Sequence, residues 1–489
     1  MKVAFVSPER YWVGKYTGEL RVEPSHLVRM HHILASKGIG SKIIVDRASD
    51  SLLAQVQNYR PDVLCVSVLA HVLSAQIAPL IDHARQNGIK VVLGGSAITT
   101  DPGYYAKEYR PDAVVLGQGE PAIGILAGHD FQFGGIPSDL MNRETLEGVP
   151  VFSSPRLVKF DDANYERPYS LKPFGHSAYP VVIYGCAHKC NFCTSDGRFV
   201  MRDPENFVEE LVYLQNKLGA TKFTPIGGDF GASPKRATEI IERILKRRTL
   251  LEPAYDIRIR IDNLASAISM GPKIWKKFLS KGNVLFELGV ESSLPQKLHR
   301  LNKYRDTVSA EAQRDSLMSI LEFIKPTPAR AVGSFIMLDP ESTVDEVVED
   351  LEWISNTMSR YPDHFLVNTG DIFNYLRPVR GSRADEIYAD VNMNGHFFMN
   401  LGKDGLMDAL QLYMFGASPS AVLEFGAGPA VDRRKTTRRH IGLLGEAIFT
   451  IYKNLASSNK ITFEFLADLV LRQFPGADKA AVKHLYGMK

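Results

Sequence analysis

Three of the chain's four cysteines fall within eight positions, in Gly185-Cys186-Ala187-His188-Lys189-Cys190-Asn191-Phe192-Cys193, directly after the apolar run 179–184. Cysteines gathered in one place cannot staple distant parts of a chain, so a disulfide framework is not expected, and 489 residues must be ordered by apolar cores. That length suits two or three domains. Thiols this close together point instead to a metal centre and to a reducing cytoplasm. Zinc is one candidate, but it prefers four ligands and no fourth cysteine lies nearby.

Composition narrows the partners. Hydrophobic residues make up 45% of the chain and charged residues 23%, as in a globular protein, and 58 Lys plus Arg against 55 Asp plus Glu leave a formal charge of only +3. So even a balance does not by itself call for nucleic acid or an anionic membrane. The opening Met1-Lys2-Val3-Ala4-Phe5-Val6 lacks the longer apolar segment of a signal peptide. No run approaches the roughly 18 apolar residues of a membrane-spanning helix, so no membrane association is expected.

Apolar patterning divides the chain. Strands are expected over 2–7, 41–45, 62–69, 90–93 and 113–116, with helices over 24–36, 51–58 and 75–86. Strands alternating with helices at this pitch imply a parallel sheet covered on both faces, an α/β domain closing near residue 145. Such a sheet binds ligands beyond the carboxyl ends of its strands. A nucleotide is poorly supported, since no Gly-x-Gly-x-x-Gly opens the first helix and no phosphate loop is present. Residues 146–178, with Pro155, Pro168 and Pro173, read as a connector. A second α/β domain over 179–380 repeats the pattern. Its strands are expected at 179–184, 222–226, 255–261, 284–289, 331–338 and 365–368, and its helices at 204–218, 234–247, 273–280 and 344–358. This order fits a barrel-like parallel sheet with its chemistry at the carboxyl ends. Residues 381–489 read as a mainly helical C-terminal region, with helices over 404–415, 438–455 and 461–473. Its basic cluster, Arg433, Arg434, Lys435, Arg438 and Arg439, reads as a solvated or salt-bridged face.

The spacing Cys-x3-Cys-x2-Cys resembles the cluster motif of the radical S-adenosylmethionine superfamily. The resemblance covers 179–380 and implies a partial (β/α)6 barrel. It further implies that Cys186, Cys190 and Cys193 bind three irons of a 4Fe-4S cluster, leaving the fourth to the amino and carboxylate groups of S-adenosylmethionine. One electron would then cleave the sulfonium and yield a 5'-deoxyadenosyl radical. Gly227-Gly228-Asp229 stands where the family usually has Gly-Gly-Glu, so the glycine carbonyls and Asp229 are expected to accept hydrogen bonds from the methionyl ammonium. The same residues would also suit a plain strand-end turn. Gly289-Val290-Glu291-Ser292 resembles another family segment, which gives Glu291 a ribose or ammonium to hold, or else Arg258 or Arg260 as a salt-bridge partner. Phe192, and Ile336 within Gly333-Ser334-Phe335-Ile336-Met337, correspond to positions that border adenine. Apolar contact there is equally what a barrel core requires.

The first domain resembles the cobalamin-binding domain found ahead of many such enzymes. Ser67-Val68-Leu69 matches its Ser-x-Leu, and Gly94-Gly95 its Gly-Gly, where small residues would let the dimethylbenzimidazole tail approach the backbone. These give Ser67, Leu69, Gly94 and Gly95 as cobalamin contacts. The family's Asp-x-His-x-x-Gly is missing, its place taken by Ser7-Pro8-Glu9-Arg10-Tyr11-Trp12. No histidine of that loop is therefore expected on cobalt. Either the lower cobalt face is free or shielded, or the domain is kept without using the cofactor. Arg10, Tyr11 and Trp12 are expected to face the domain crevice, and Cys65 to be an ordinary buried strand residue.

Together the resemblances imply a cobalamin-dependent radical C-methyltransferase acting on a small or medium-sized biosynthetic intermediate. Its cofactors would be a 4Fe-4S cluster, S-adenosylmethionine and cobalamin, with a reduced flavodoxin or ferredoxin-like electron donor. The alternative is a radical cyclase, rearrangement or oxidation enzyme in which cobalamin is absent or does not methylate. Nucleic-acid modification fits the modest charge less well.

Overall fold

The computed structural model describes residues 1–8, 25–45, 51–68, 77–134, 136, 142–154, 177–193, 200–336, 339, 344–367 and 383–384. The C-terminal helices expected over 404–473, the basic cluster there, and Arg10, Tyr11, Trp12 and Leu69 lie outside the described residues.

The first unit runs β1 (Lys2–Ser7), α1 (Ser25–Ser36), β2 (Gly40–Val45), α2 (Leu52–Tyr59), β3 (Val63–Ser67), α3 (Ala78–Gln86), β4 (Lys90–Gly94), α4 (Ser96–Thr100), α5 (Pro102–Tyr109), β5 (Ala113–Gly117) and α6 (Gly119–Gly128), followed by β6 (Asn142–Leu146) and β7 (Val149–Ser154). These strands form one sheet in the order β2-β1-β3-β4-β5-β7-β6. All neighbours are parallel except the hairpin of β6 and β7. β1 and β3 read as unbroken apolar runs because both faces of the sheet are covered. Val3, Phe5, Val63 and Cys65 join one core layer, while Ala4, Val6, Leu64 and Val66 join the other. Cys65 is thus the core residue expected, and burial pushes its thiol well above the ordinary range.

The sheet runs past residue 145, where the sequence suggested that it closes. β7 pairs with β5 and takes up six residues of the expected connector. The hairpin turns on Glu147 and Gly148, both with positive φ (52° and 79°), a two-residue turn that lacks the usual Asn-Gly signature.

The second unit opens with β8 (Ser177–Ala178), β9 (Ile183–Tyr184) and β10 (Val200–Met201), and continues through α7 (Pro204–Leu218), β11 (Lys222–Phe223), α8 (Pro234–Lys246), β12 (Ala254–Arg260), α9 (Ile261–Met270), α10 (Pro272–Leu279), β13 (Val284–Glu291), α11 (Pro295–Arg300), α12 (Thr307–Ile324), β14 (Arg330–Phe335), α13 (Val344–Arg360) and β15 (Phe365–Val367). Six strands in the order β15-β14-β13-β12-β11-β8, all parallel, make the expected partial barrel. Local chemistry sets its helices. α7 starts at Asp203, whose carboxylate accepts the Asn206 N–H at 3.0 Å, with Pro204 at its first position, and stops at Gly219 in the left-handed region. In β13 burial alternates: Val284, Phe286, Leu288 and Val290 enter the helix-covered core, which leaves Gly289 and Glu291 on the opposite, concave face. Among the described residues no helix is long and apolar enough to cross a membrane.

Candidate active site

The cysteine loop leaves β9 at the carboxyl edge of the barrel. Cys186 and Cys190 are half-buried and Cys193 is exposed. Burial raises the Cys186 thiol, and raises Cys190 to about 11 against the pull of Arg260 and Lys303, while each of the two also feels the charge of Cys193. Among the described residues no three His, Cys, Asp or Glu side chains converge on a single ion position. Three thiols of one loop need not converge in that way to hold a cluster, because each meets a different iron. The donor set therefore suits a 4Fe-4S cluster bound by three residues. The loop is clamped to the segment after α11. Asn191 donates its N–H to the Leu301 carbonyl at 2.9 Å and its amide to the Arg300 carbonyl at 2.9 Å, and Asn302 donates to the Lys189 carbonyl at 2.5 Å.

Gly227 and Gly228 form the floor under this loop. Gly227 has φ 147°, and a Cβ there would overlap the Ile183 carbonyl and side chain; at Gly228 it would overlap the Gly185 carbonyl and lie 2.8 Å from Cys186 Cβ. Only glycine lets the turn pass this close beneath the cysteines. Asp229 is buried and spent on its own chain. Oδ1 accepts the N–H groups of Gly231 (3.0 Å) and Arg260 (3.1 Å), and Oδ2 accepts the Asn263 amide (2.5 Å) with His188 Nε2 at 3.9 Å.

Glu291 sits at a bulge where β13 slips against β14, with φ 64°, a left-handed value uncommon outside glycine. Its cation is Lys303, at 3.3 Å, rather than Arg258 or Arg260. Arg258 pairs with Glu287 at 3.0 Å and Arg260 with Asp262 at 3.1 Å. Lys303 Nζ also donates to the Gly289 carbonyl. A side chain at Gly289 would meet Glu291 Oε1 at 2.7 Å, so the glycine makes room for this ion pair. Burial pulls the Lys303 ammonium below its ordinary range while Glu291 holds it up. Below the rim a second buried pair, Lys297 with Asp350 at 3.3 Å, fixes Ser292 and Ser293, whose hydroxyls donate to the Asp350 carboxylate. Phe192 packs against Ile336, in a small apolar cluster with Leu301 and Ala384.

In the first unit Ser67 and Gly94 are direct register partners at the carboxyl edge. Gly95 has φ 108°, and a Cβ there would overlap the Val68 carbonyl and lie 2.7 Å from Val68 N. Its smallness therefore serves a turn packed on Val68. Two residues that sequence reasoning missed lie at this edge. His26 Nε2 meets Ser67 Oγ at 3.0 Å, and burial lowers the imidazole to about 4. Gln118, just past β5, is buried with its Oε1 unpartnered. A buried acceptor awaiting a donor, at the edge where an open sheet binds its ligand, suits a cofactor fringed with amides such as cobalamin.

The two edges touch. Tyr184, two residues before Cys186, donates its hydroxyl to Glu120, which opens α6 just past β5. Burial, then Glu120, raises the phenol well above its ordinary range, so it remains a donor. Deeper in the seam, Arg29 of α1 meets both oxygens of Glu210 of α7 at 2.5 and 2.6 Å, and Arg202 meets the same carboxylate. Burial alone would raise Glu210, but the two guanidinium groups hold it below its ordinary value.

Family models agree with this division. The Radical SAM superfamily model matches residues 181–354 and the B12 binding domain model matches residues 33–127. The chain carries a radical S-adenosylmethionine domain behind a B12-binding domain, which implies a 4Fe-4S cluster, S-adenosylmethionine and cobalamin as cofactors. No curated protein matches it. Among solved structures it is similar to the radical S-adenosylmethionine methyltransferase TsrM from Kitasatospora setae, with tryptophan substrate and a S-adenosylmethionine analog bound. Identity is 15% and the TM-score 0.61, over 80% of this chain and 76% of that one. It is also similar to OxsB, a cobalamin-dependent S-adenosylmethionine radical enzyme with aqua-cobalamin and S-adenosylmethionine bound, at 14% identity and TM-score 0.60, over 100% of this chain and 75% of that one. At these identities the likeness establishes the shared fold.

Proposed function

We propose that this chain is a cobalamin-dependent radical S-adenosylmethionine C-methyltransferase acting on a small or medium-sized biosynthetic intermediate, with a reduced flavodoxin or ferredoxin-like donor in the cytoplasm. The observation that carries the reading is the Tyr184–Glu120 bond, which brings the carboxyl edge of the first sheet against the cysteine loop of the barrel. Cofactors held at the two edges would open onto one chamber, as transfer of a methyl group to a substrate radical requires. The likeness to TsrM, a methyltransferase of this fold, supports the same class of reaction.

In this reading Cys186, Cys190 and Cys193 hold the cluster. The carbonyls of Gly227 and Gly228 take the methionyl ammonium, and Asp229 stiffens the turn that presents them. Glu291, fixed by Lys303, receives the ribose, and Phe192 with Ile336 forms an apolar wall for adenine. Ser67, Leu69, Gly94, Gly95 and Gln118 form the cobalamin side, with no histidine ligand from the loop after β1. The bound cofactors supply one-electron cleavage of the sulfonium and delivery of the methyl group, while the protein sets distances and excludes water.

The test needs no knowledge of the substrate. Protein purified anaerobically with hydroxocobalamin, freed of unbound ligand and reduced, is given methyl-deuterated S-adenosylmethionine. Formation of S-adenosylhomocysteine with the label retained by the protein fraction is expected. Cleavage to 5'-deoxyadenosine alone, with no S-adenosylhomocysteine, rejects methyl transfer and favours cyclisation, rearrangement or oxidation.

A further inference from the structure

We propose that Arg260 tunes the cluster, raising its reduction potential through a hydrogen bond to the Cys190 thiolate. The proposal rests on Cys186, Cys190 and Cys193 being the cluster's ligands. Arg260 Nη1 lies 3.8 Å from Cys190 Sγ, within donor reach of sulfur. The guanidinium is held on its other sides. Nε donates to Asp262 Oδ1 at 3.1 Å, Nη2 donates to Asp262 Oδ2 at 3.2 Å and to the Lys303 carbonyl at 3.1 Å, and the group lies 4.9 Å from the Tyr304 ring centroid. Nη1 is the nitrogen that this arrangement turns toward the cysteine loop.

A cluster on three thiolates becomes more negative by one charge when it takes an electron from an external reductant, and no bond is made or broken in that step. A fixed cation donating to one of its sulfurs stabilises the reduced form more than the oxidised one, which raises the potential. The other charges acting at Cys190 are Lys303, already paired with Glu291, together with Glu291 itself and the neighbouring Cys193. Asp262 offsets part of the Arg260 charge. Its side chain is 39% exposed against 11% for Arg260, so water weakens the carboxylate's field more than the guanidinium's. The net effect at Cys190 is positive. Arg260 is a positioning and tuning residue, because it acts on the substrate only through the cluster.

Two substitutions with opposite expected signs test this. Wild-type, Arg260→Gln and Asp262→Asn proteins are reconstituted anaerobically, checked for about four irons per chain, and titrated with the reduced-cluster electron paramagnetic resonance signal as readout, with and without S-adenosylmethionine. Arg260→Gln is expected to lower the midpoint and Asp262→Asn, which frees the guanidinium of its counter-charge, to raise it; Arg260→Lys should lie between wild type and Gln. An unchanged midpoint for Arg260→Gln at full iron loading overturns the proposal. Shifts of one sign in both variants also overturn it, since they indicate general loosening of the loop. A difference seen only with S-adenosylmethionine present overturns it as well, assigning Arg260 to the methionyl carboxylate. Where Arg260→Gln assembles no cluster, Asp262→Asn decides alone: a raised midpoint supports the role and an unchanged or lowered one rejects it. A wild-type protein that assembles no cluster would refute the ligand assignment itself.

Discussion

The barrel rim and the edge of the first sheet meet at one seam but are built from different materials. At the rim, ion pairs hold the unusual features in place: Lys303 secures the left-handed Glu291, and Asp262 fixes Arg260 beside Cys190. At the edge of the first sheet, Glu120 at the seam aside, the groups are neutral. Ser67 is bonded to an uncharged His26, Gln118 offers a bare amide oxygen, and Gly95 is packed on Val68. The contrast follows from the ligands each edge would take. An anionic cluster and a zwitterionic, sulfonium-bearing cosubstrate need fixed charges, whereas a large amide-fringed cofactor needs shape and hydrogen bonds.

The strongest way to break the comparison is to remove a thiol. Replacing Cys186, Cys190 or Cys193 by Ala should abolish reductive cleavage of S-adenosylmethionine while leaving cobalamin retention intact; full cleavage by all three variants would refute the cluster assignment. Next in size are the glycines. Gly228→Ala and Gly95→Ala should each destabilise their own domain by about 2–3 kcal/mol, through overlap with neighbouring backbone. Thermal unfolding followed separately by cluster absorbance and cobalamin release would show whether the damage stays on one side.

A smaller effect is expected from pH. Because burial places the folded-state value of His26 below that of the unfolded chain, the unfolded state binds the proton more readily, and stability should fall as the pH drops from 6.5 toward about 4. His26→Gln should flatten that acid limb in chemical denaturation; an unaltered limb would mean that His26 is not the group responsible. The smallest is Gln118→Ala. Loss of an acceptor made only to cobalamin should weaken retention by about 1 kcal/mol, roughly five-fold, with apo-protein stability hardly changed. Equal losses in both would make Gln118 a packing residue.

The barrel strands and the cysteine loop could be read from sequence because their signals are local. Runs such as Val284–Glu291 announce a strand by themselves. Glycines beside the cysteines announce a close approach, though only the structure gives the reason at Gly95. Lys303, His26 and Glu120 could not be read in the same way. Each acquires its role from a partner in another element, 12 residues away for Lys303 and 64 for Glu120, and nothing in the neighbouring residues records that contact. The glycine-rich α6 was missed for a related cause. It is a poor intrinsic helix former, stabilised by close packing on α1, where Met30 sulfur lies 2.8 Å from the place a Gly119 Cβ would occupy. Asp229 shows the converse: its motif is local and legible, but its oxygens are engaged by Gly231, Arg260 and Asn263 within the protein.

The carboxylate shared by Arg29 and Arg202 bears on how this protein can be handled as a set of parts. Severing the chain between the two units would remove Arg29 and expose to water a seam shaped around a fully buried anion. Glu210 would keep Arg202 but lose Arg29, so the barrel half should be less stable alone than in the intact chain. A chimera that borrows either unit from another protein should therefore bring a matching Arg or Glu across the join.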